Sequence, residues 1–64
     1  MSDKWTPWKS KMTRAKKSGP QDVLDCFAAF LEYCETEGFP DWWHMMETSA
    51  MDAEWELMMQ ADTL

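Results

Sequence analysis

The amino-acid sequence predicts an all-α protein, a compact bundle or hairpin of three to four short helices, and three observations support this. No segment sustains the period-two alternation of a half-buried strand. Apolar residues recur instead at three- and four-residue spacings, the repeat of a helix face. Glycine and proline fall between these stretches, at Gly19-Pro20 and Gly38-Phe39-Pro40, where helices stop and start.

The first predicted helix covers residues 7–18. Thr6 can accept from an orphan N–H, Pro7 is tolerated at the first helical position, and Gly19-Pro20 forms the stop. Trp8, Met12 and Ala15 repeat at i, i+4 and i+7, with Lys9, Lys11, Arg14, Lys16 and Lys17 at the remaining positions. This is a basic amphipathic helix. About twelve residues are marginal for an isolated helix in water, so it is expected to need docking to persist.

The second begins at Pro20 and ends at Gly38. Gln21 and Asp22 occupy its first turn, where negative charge suits the helix dipole. Val23, Leu24, Phe27, Phe30, Leu31 and Cys34 form a regular stripe, while Asp25, Glu32 and Glu35 point the other way. Phe27, Phe30 and Leu31 are therefore expected to form the core.

Gly38-Phe39-Pro40 reads as a glycine C-cap with an apolar residue just beyond it, and Asp41 can cap a new helix. Residues 41–62 are apolar over more than half their circumference, through Trp42, Trp43, Met45, Met46, Met51, Trp55, Leu57, Met58 and Met59. Ser49-Ala50-Met51-Asp52 resembles a capping box with Asp in place of Glu, which predicts a break near Thr48-Ser49 and two helices instead of one.

Charge is sharply segregated along the chain. All six basic residues lie within residues 1–17 beside a single acid, Asp3, which gives residues 1–19 a net +5. Residues 20–64 hold eleven acids and no base, which accounts for the total of −6. The chain thus reads as one domain with a basic N-terminal segment, 1–19, and an acidic helical body, 20–64. Such a pattern predicts either an internal electrostatic clasp or two surfaces for two kinds of partner.

Length and residue types narrow the chemistry. At 64 residues a single core supplies only a few kcal/mol, and no large substrate cleft can be enclosed. At 45% hydrophobic the chain is too apolar for disorder. No apolar run approaches the roughly 18 residues of a membrane span, and Met1-Ser2-Asp3-Lys4 lacks a signal peptide's apolar stretch, so a cytoplasmic location is expected, that of the host cell if the protein is phage-encoded. Cys26 and Cys34, eight residues apart on one helix, are separated by about 12 Å, too far for a disulfide.

No cofactor or metal is expected, and no catalysis. His44-x-x-Glu47 puts an imidazole and a carboxylate on one face, but no further ligand or nucleophile stands at a recognisable spacing. Cys26, Cys34 and His44 lack the close ligand pairs of a zinc site.

The leading functional expectation is a small acidic regulatory or inhibitory protein that binds a larger protein through an apolar helix face rimmed by carboxylates. The residues expected to carry it are Trp42, Trp43, Glu47, Asp52, Glu54, Trp55, Glu56, Met58 and Met59. Methionine's flexibility suits an adaptable docking surface. In a sharper form the carboxylates imitate nucleic-acid phosphates and mask a basic groove on a nucleic-acid-binding partner. Small acidic helical proteins of phages and mobile elements work in that way, an analogy of size and charge alone.

Two alternatives stand beside it. One is a structural or assembly component, a homo-oligomer or virion protein, joined through the exposed apolar patch. The other is a nucleic-acid accessory protein, in which Trp5, Trp8, Lys9, Lys11, Arg14, Lys16 and Lys17 contact nucleic acid or an acidic partner.

Overall fold

The computed structural model describes residues 4–62, and every regular element among them is a helix: α1 (Thr6–Ser18), α2 (Pro20–Glu37) and α3 (Trp43–Asp62). The first two follow the sequence punctuation to within a residue. Thr6 lies inside the first turn of α1 instead of capping it, and Trp5 holds the N-cap position in a helical conformation.

Gly19 alone joins α1 to α2. Its φ of 150° and ψ of 169° belong to a region that essentially only glycine enters. Its N–H donates to the Ala15 carbonyl at 3.0 Å, closing α1, and its carbonyl accepts from Val23 N–H at 3.3 Å, opening α2. The chain therefore reverses on one residue and α1 lies antiparallel along α2, so that Lys4 reaches Glu37 at the far end, 3.0 Å away. Gly38, with φ 86°, ends α2 by donating to the Cys34 carbonyl at 2.8 Å.

α3 begins at Trp43, after a turn at Asp41 and Trp42, and runs unbroken to Asp62. This corrects the expected break at Thr48-Ser49, so there are three helices and not four. The hydroxyls that suggested a cap face the other way. Thr48 Oγ1 donates to the His44 carbonyl at 2.9 Å and Ser49 Oγ to the Met45 carbonyl at 3.1 Å, the four-back bonding of residues within a helix. A cap would instead accept from backbone N–H groups. Ala50 and Ala53, buried just beyond the expected break, hold that stretch against its neighbours and favour continuity.

Packing centres on α2, against which both α1 and α3 lie. The core consists of Met12 and Ala15 from α1, Val23, Phe30 and Cys34 from α2, and Met46, Ala50 and Ala53 from α3. Phe30 is completely buried, with ring centroids of Trp5, Trp8, Phe27 and Trp42 between 5.6 and 6.4 Å from its own. Phe27 packs against the core from its edge, and Leu31 is only half-buried, so Phe30 alone of the three expected core residues lies at the centre.

The molecule measures 48 × 20 × 16 Å. Even the 20-residue α3 is only about 30 Å long at 1.5 Å per residue, so the helices must be staggered. Asp52, Ala53 and Glu56 stand beside Gly19 and Pro20, the α1–α2 turn. Beyond Leu57 α3 therefore runs past the end of the α1–α2 hairpin. This overhang leaves Met58 and Met59 more than half exposed.

Candidate functional site

α3 carries two apolar stripes, and only one is used by the fold. Trp43, Met46, Ala50, Ala53 and Leu57, spaced three and four apart, face the neighbouring helices and are buried or half-buried. Met51, Trp55 and Met58, spaced four and three apart on another side, are 63%, 63% and 56% exposed. Glu54 lies among these three side chains and shares a small surface recess of about 160 Å³ with them. Single exposed apolar residues are ordinary, but here three large ones are contiguous on one helix.

The nine residues expected at a partner surface fall into different places. Trp55, Met58 and Glu54 are exposed together on the outer part of α3, whereas Asp52 and Glu56, also exposed, lie toward the α1–α2 turn in a recess shared with Lys16. Met59, 54% exposed, lies on the flank it shares with Met45 and Asp52 at seven-residue intervals. Glu47 is half-buried. Trp42 packs inward, its ring stacked at 5.8 Å on Phe30 and edge-on at 6.3 Å to Trp5. Trp43 is half-buried between Phe39, 5.3 Å away, and the His44 ring, 4.1 Å away. Met51 belongs with Trp55 and Met58 by spacing, a relation that the other methionines of residues 41–62 obscured.

α1 is docked on α2, and that fixes where its charges go. Trp8 and Met12 face the core, and Trp5 packs against Phe30, Tyr33 and Trp42. Lys9, Lys11, Arg14, Lys16 and Lys17 are consequently all exposed. Lys9 Nζ stands 4.7 Å above the Trp42 ring and Lys11 Nζ 4.4 Å above Trp8, cation–π placements made by exposed side chains. Among the described residues one ion pair joins base to acid, Lys4–Glu37, exposed on both sides. α1 is thus joined to α2 through apolar side chains, with the Lys4–Glu37 pair at the far end.

α1 and α3 approach each other at few points, which leaves a groove of about 260 Å³ between them. Its floor and walls are Met12, Trp42, Met45 and Met46, with Lys9, Thr13, Lys16 and Ser49 along the sides. Small-molecule sites usually occupy roughly 300–1,000 Å³. This groove is smaller and open, a size suited to side chains from another surface.

The groups with potential for chemistry are dispersed. Cys26 and Cys34 are free thiols on α2, and burial raises both thiol pKa values, with Lys11 pulling Cys26 partly back. Raised thiols are weak nucleophiles at neutral pH. His44 is exposed at the start of α3, and no group of three potential metal ligands occurs among the described residues. No described helix is long and apolar enough to cross a membrane. No protein-family model, curated protein or solved structure matches the chain.

Proposed function

We propose that this protein is a small acidic regulatory or inhibitory protein that docks on a larger protein through the outer face of α3. The observation that carries this reading is the stripe of Met51, Trp55 and Met58, exposed on a helix whose other face is already committed to the core. Glu54 within the stripe and Glu47 at its edge make the face negative, while Asp52 and Glu56 lie on the side of α3 toward the α1–α2 turn, beside Lys16. A complementary surface would be apolar at its centre and lined with lysine or arginine. A nucleic-acid-binding groove has that rim, and carboxylates spaced along a helix would compete with phosphates for it.

The test is affinity capture of a partner from native lysate by the wild-type chain and by Trp55→Ser/Met58→Ser. Both substitutions are at exposed positions and should leave the fold intact by circular dichroism. The partner should be lost from the variant, and competing nucleic acid should displace it from the wild type. A partner retained equally by both chains would refute the α3 reading. The exposed cations of α1 favour a second reading, direct contact of Lys9, Lys11, Arg14, Lys16 and Lys17 with nucleic acid. Binding of a bare oligonucleotide that falls steeply with salt would support it.

A further inference from the structure

We infer that the protein associates with itself head to tail, the outer stripe of α3 in one copy seating in the α1–α3 groove of the next. The stripe is the same face proposed above for a partner, but the inference concerns the chain alone and stands or falls without one.

Charge selects this occupant. Residues 20–64 contain no lysine or arginine, so any pairing of one stripe with another copy's stripe would bring Glu47 and Glu54 of both copies together uncompensated. The cations that can compensate them lie on α1, and two of these, Lys9 and Lys16, line the groove. Spacing agrees with charge. Lys9 and Lys16 are seven residues apart along one side of α1, and Glu47 and Glu54 are seven apart along one edge of the stripe, each separation about 10.5 Å. Two lysines and two carboxylates at the same interval can pair simultaneously.

The apolar parts match as well. The groove offers Met12, Trp42, Met45 and Met46, a flexible and polarisable lining that adapts to an inserted indole or thioether. Its volume of about 260 Å³ suits a few side chains and not a whole ligand. The same molecule's stripe cannot fill it. The groove opens on the α1 side of α3, while Met51, Trp55 and Met58 stand on a different side of the helix. Knob and hole are thus distinct surfaces of one chain, the condition for a heterologous contact, which closes into a ring or continues as an open chain. The overhang of α3 past the hairpin helps Met58 reach a neighbour.

Sedimentation equilibrium on the full chain tests this. The wild type should exceed its monomer mass of 7.6 kDa as concentration rises through the micromolar range. Raising salt from 0.1 M to 1 M should weaken association roughly tenfold, the loss expected for two exposed ion pairs. Lys9→Glu/Lys16→Glu, which ruins the groove, and Trp55→Ser/Met58→Ser, which ruins the stripe, should each be monomeric alone and folded by circular dichroism. Mixed in equal amounts, they retain one good groove and one good stripe, and should form a 1:1 dimer that grows no further. A wild type that stays monomeric at millimolar concentration would overturn the inference. So would mixed variants that remain monomers while the wild type associates, because that result assigns the association to some other pair of surfaces.

Discussion

Replacing Phe30 tests the centre of the fold most directly. Its ring is fully buried where α1, α2 and the start of α3 meet, and four aromatic rings surround it at centroid distances of 5.6 to 6.4 Å. Phe→Ala in a core typically costs about 3–5 kcal/mol. Edge and stacked aromatic pairs add about 0.5–1.5 kcal/mol each beyond area burial, which places Phe30→Ala toward the upper end of that range. A 64-residue domain has about 3–10 kcal/mol in total, so the alanine variant should lose between about half and all of its stability. Phe30→Leu keeps most of the volume and loses the ring contacts, at about 2 kcal/mol. With a urea slope near 1 kcal/mol/M for so small a domain, its midpoint should fall by about 2 M. Trp55→Ala is the control: a larger aromatic is removed from a 63% exposed site, and stability should change by no more than about 0.5 kcal/mol. Urea titrations followed by far-ultraviolet circular dichroism measure all three. A Phe30→Ala protein that melts like the wild type, or a Trp55→Ala protein that loses as much as Phe30→Leu, would refute this assignment of inner and outer faces.

Other perturbations check separate features. Gly19→Ala should cost about 1–3 kcal/mol in urea titration through backbone strain alone, because the added methyl would meet nothing within 4 Å at a φ of 150°. Ala53→Leu should destabilise by about 1–3 kcal/mol through overpacking, whereas Met51→Leu should be neutral, and equal effects would show that the register of α3 is wrong. Burial holds the thiol pKa values of Cys26 and Cys34 above the ordinary 9.0, so the folded protein keeps these protons more tightly than the unfolded chain. That contribution is complete below pH 9 and is lost as pH rises from the unfolded value through the raised folded one. Urea midpoints should therefore fall above pH 9, and Cys34→Ala should lessen the fall; an identical alkaline profile in the variant would remove Cys34 as its cause.

The ends of α1 and α2 were legible because the residues that set them act locally. Gly19 and Gly38 supply backbone conformations that other residues resist, and Pro20 starts a helix as readily as it prevents one from continuing. Docking of α1 was not legible in the same way, since Trp8, Met12 and Ala15 define an apolar face without naming what it meets. α3 was the hardest to read because its large residues drew attention from its small ones. The core contacts run through Met46, Ala50 and Ala53, and two alanines leave room for α3 to approach α2 closely. The spacing 43, 46, 50, 53, 57 was present in the sequence throughout, and weighting residues by size obscured it. Thr48 and Ser49 misled for a related reason: their hydroxyls serve a cap or a mid-helix carbonyl equally well, and tertiary packing decides which.

Because charge is segregated along the chain, salt separates folding from association. With α1 docked through apolar side chains and one exposed ion pair, worth about 0–1 kcal/mol, attraction between its bases and the acidic body contributes little to the fold. Glu37 has Lys4, and Asp52 and Glu56 share a recess with Lys16, but the body's other carboxylates outnumber the bases and repel one another, and salt relieves repulsion. Added salt should thus leave the fold unchanged or slightly firmer. Association through α3 behaves oppositely, because Glu47 and Glu54 act there against cations on another surface and screening weakens them. The two processes respond to ionic strength with opposite signs. A loss of binding at high salt with an unchanged or raised melting temperature therefore belongs to the interface, while a parallel fall in both would mean that α1 is held by charge after all.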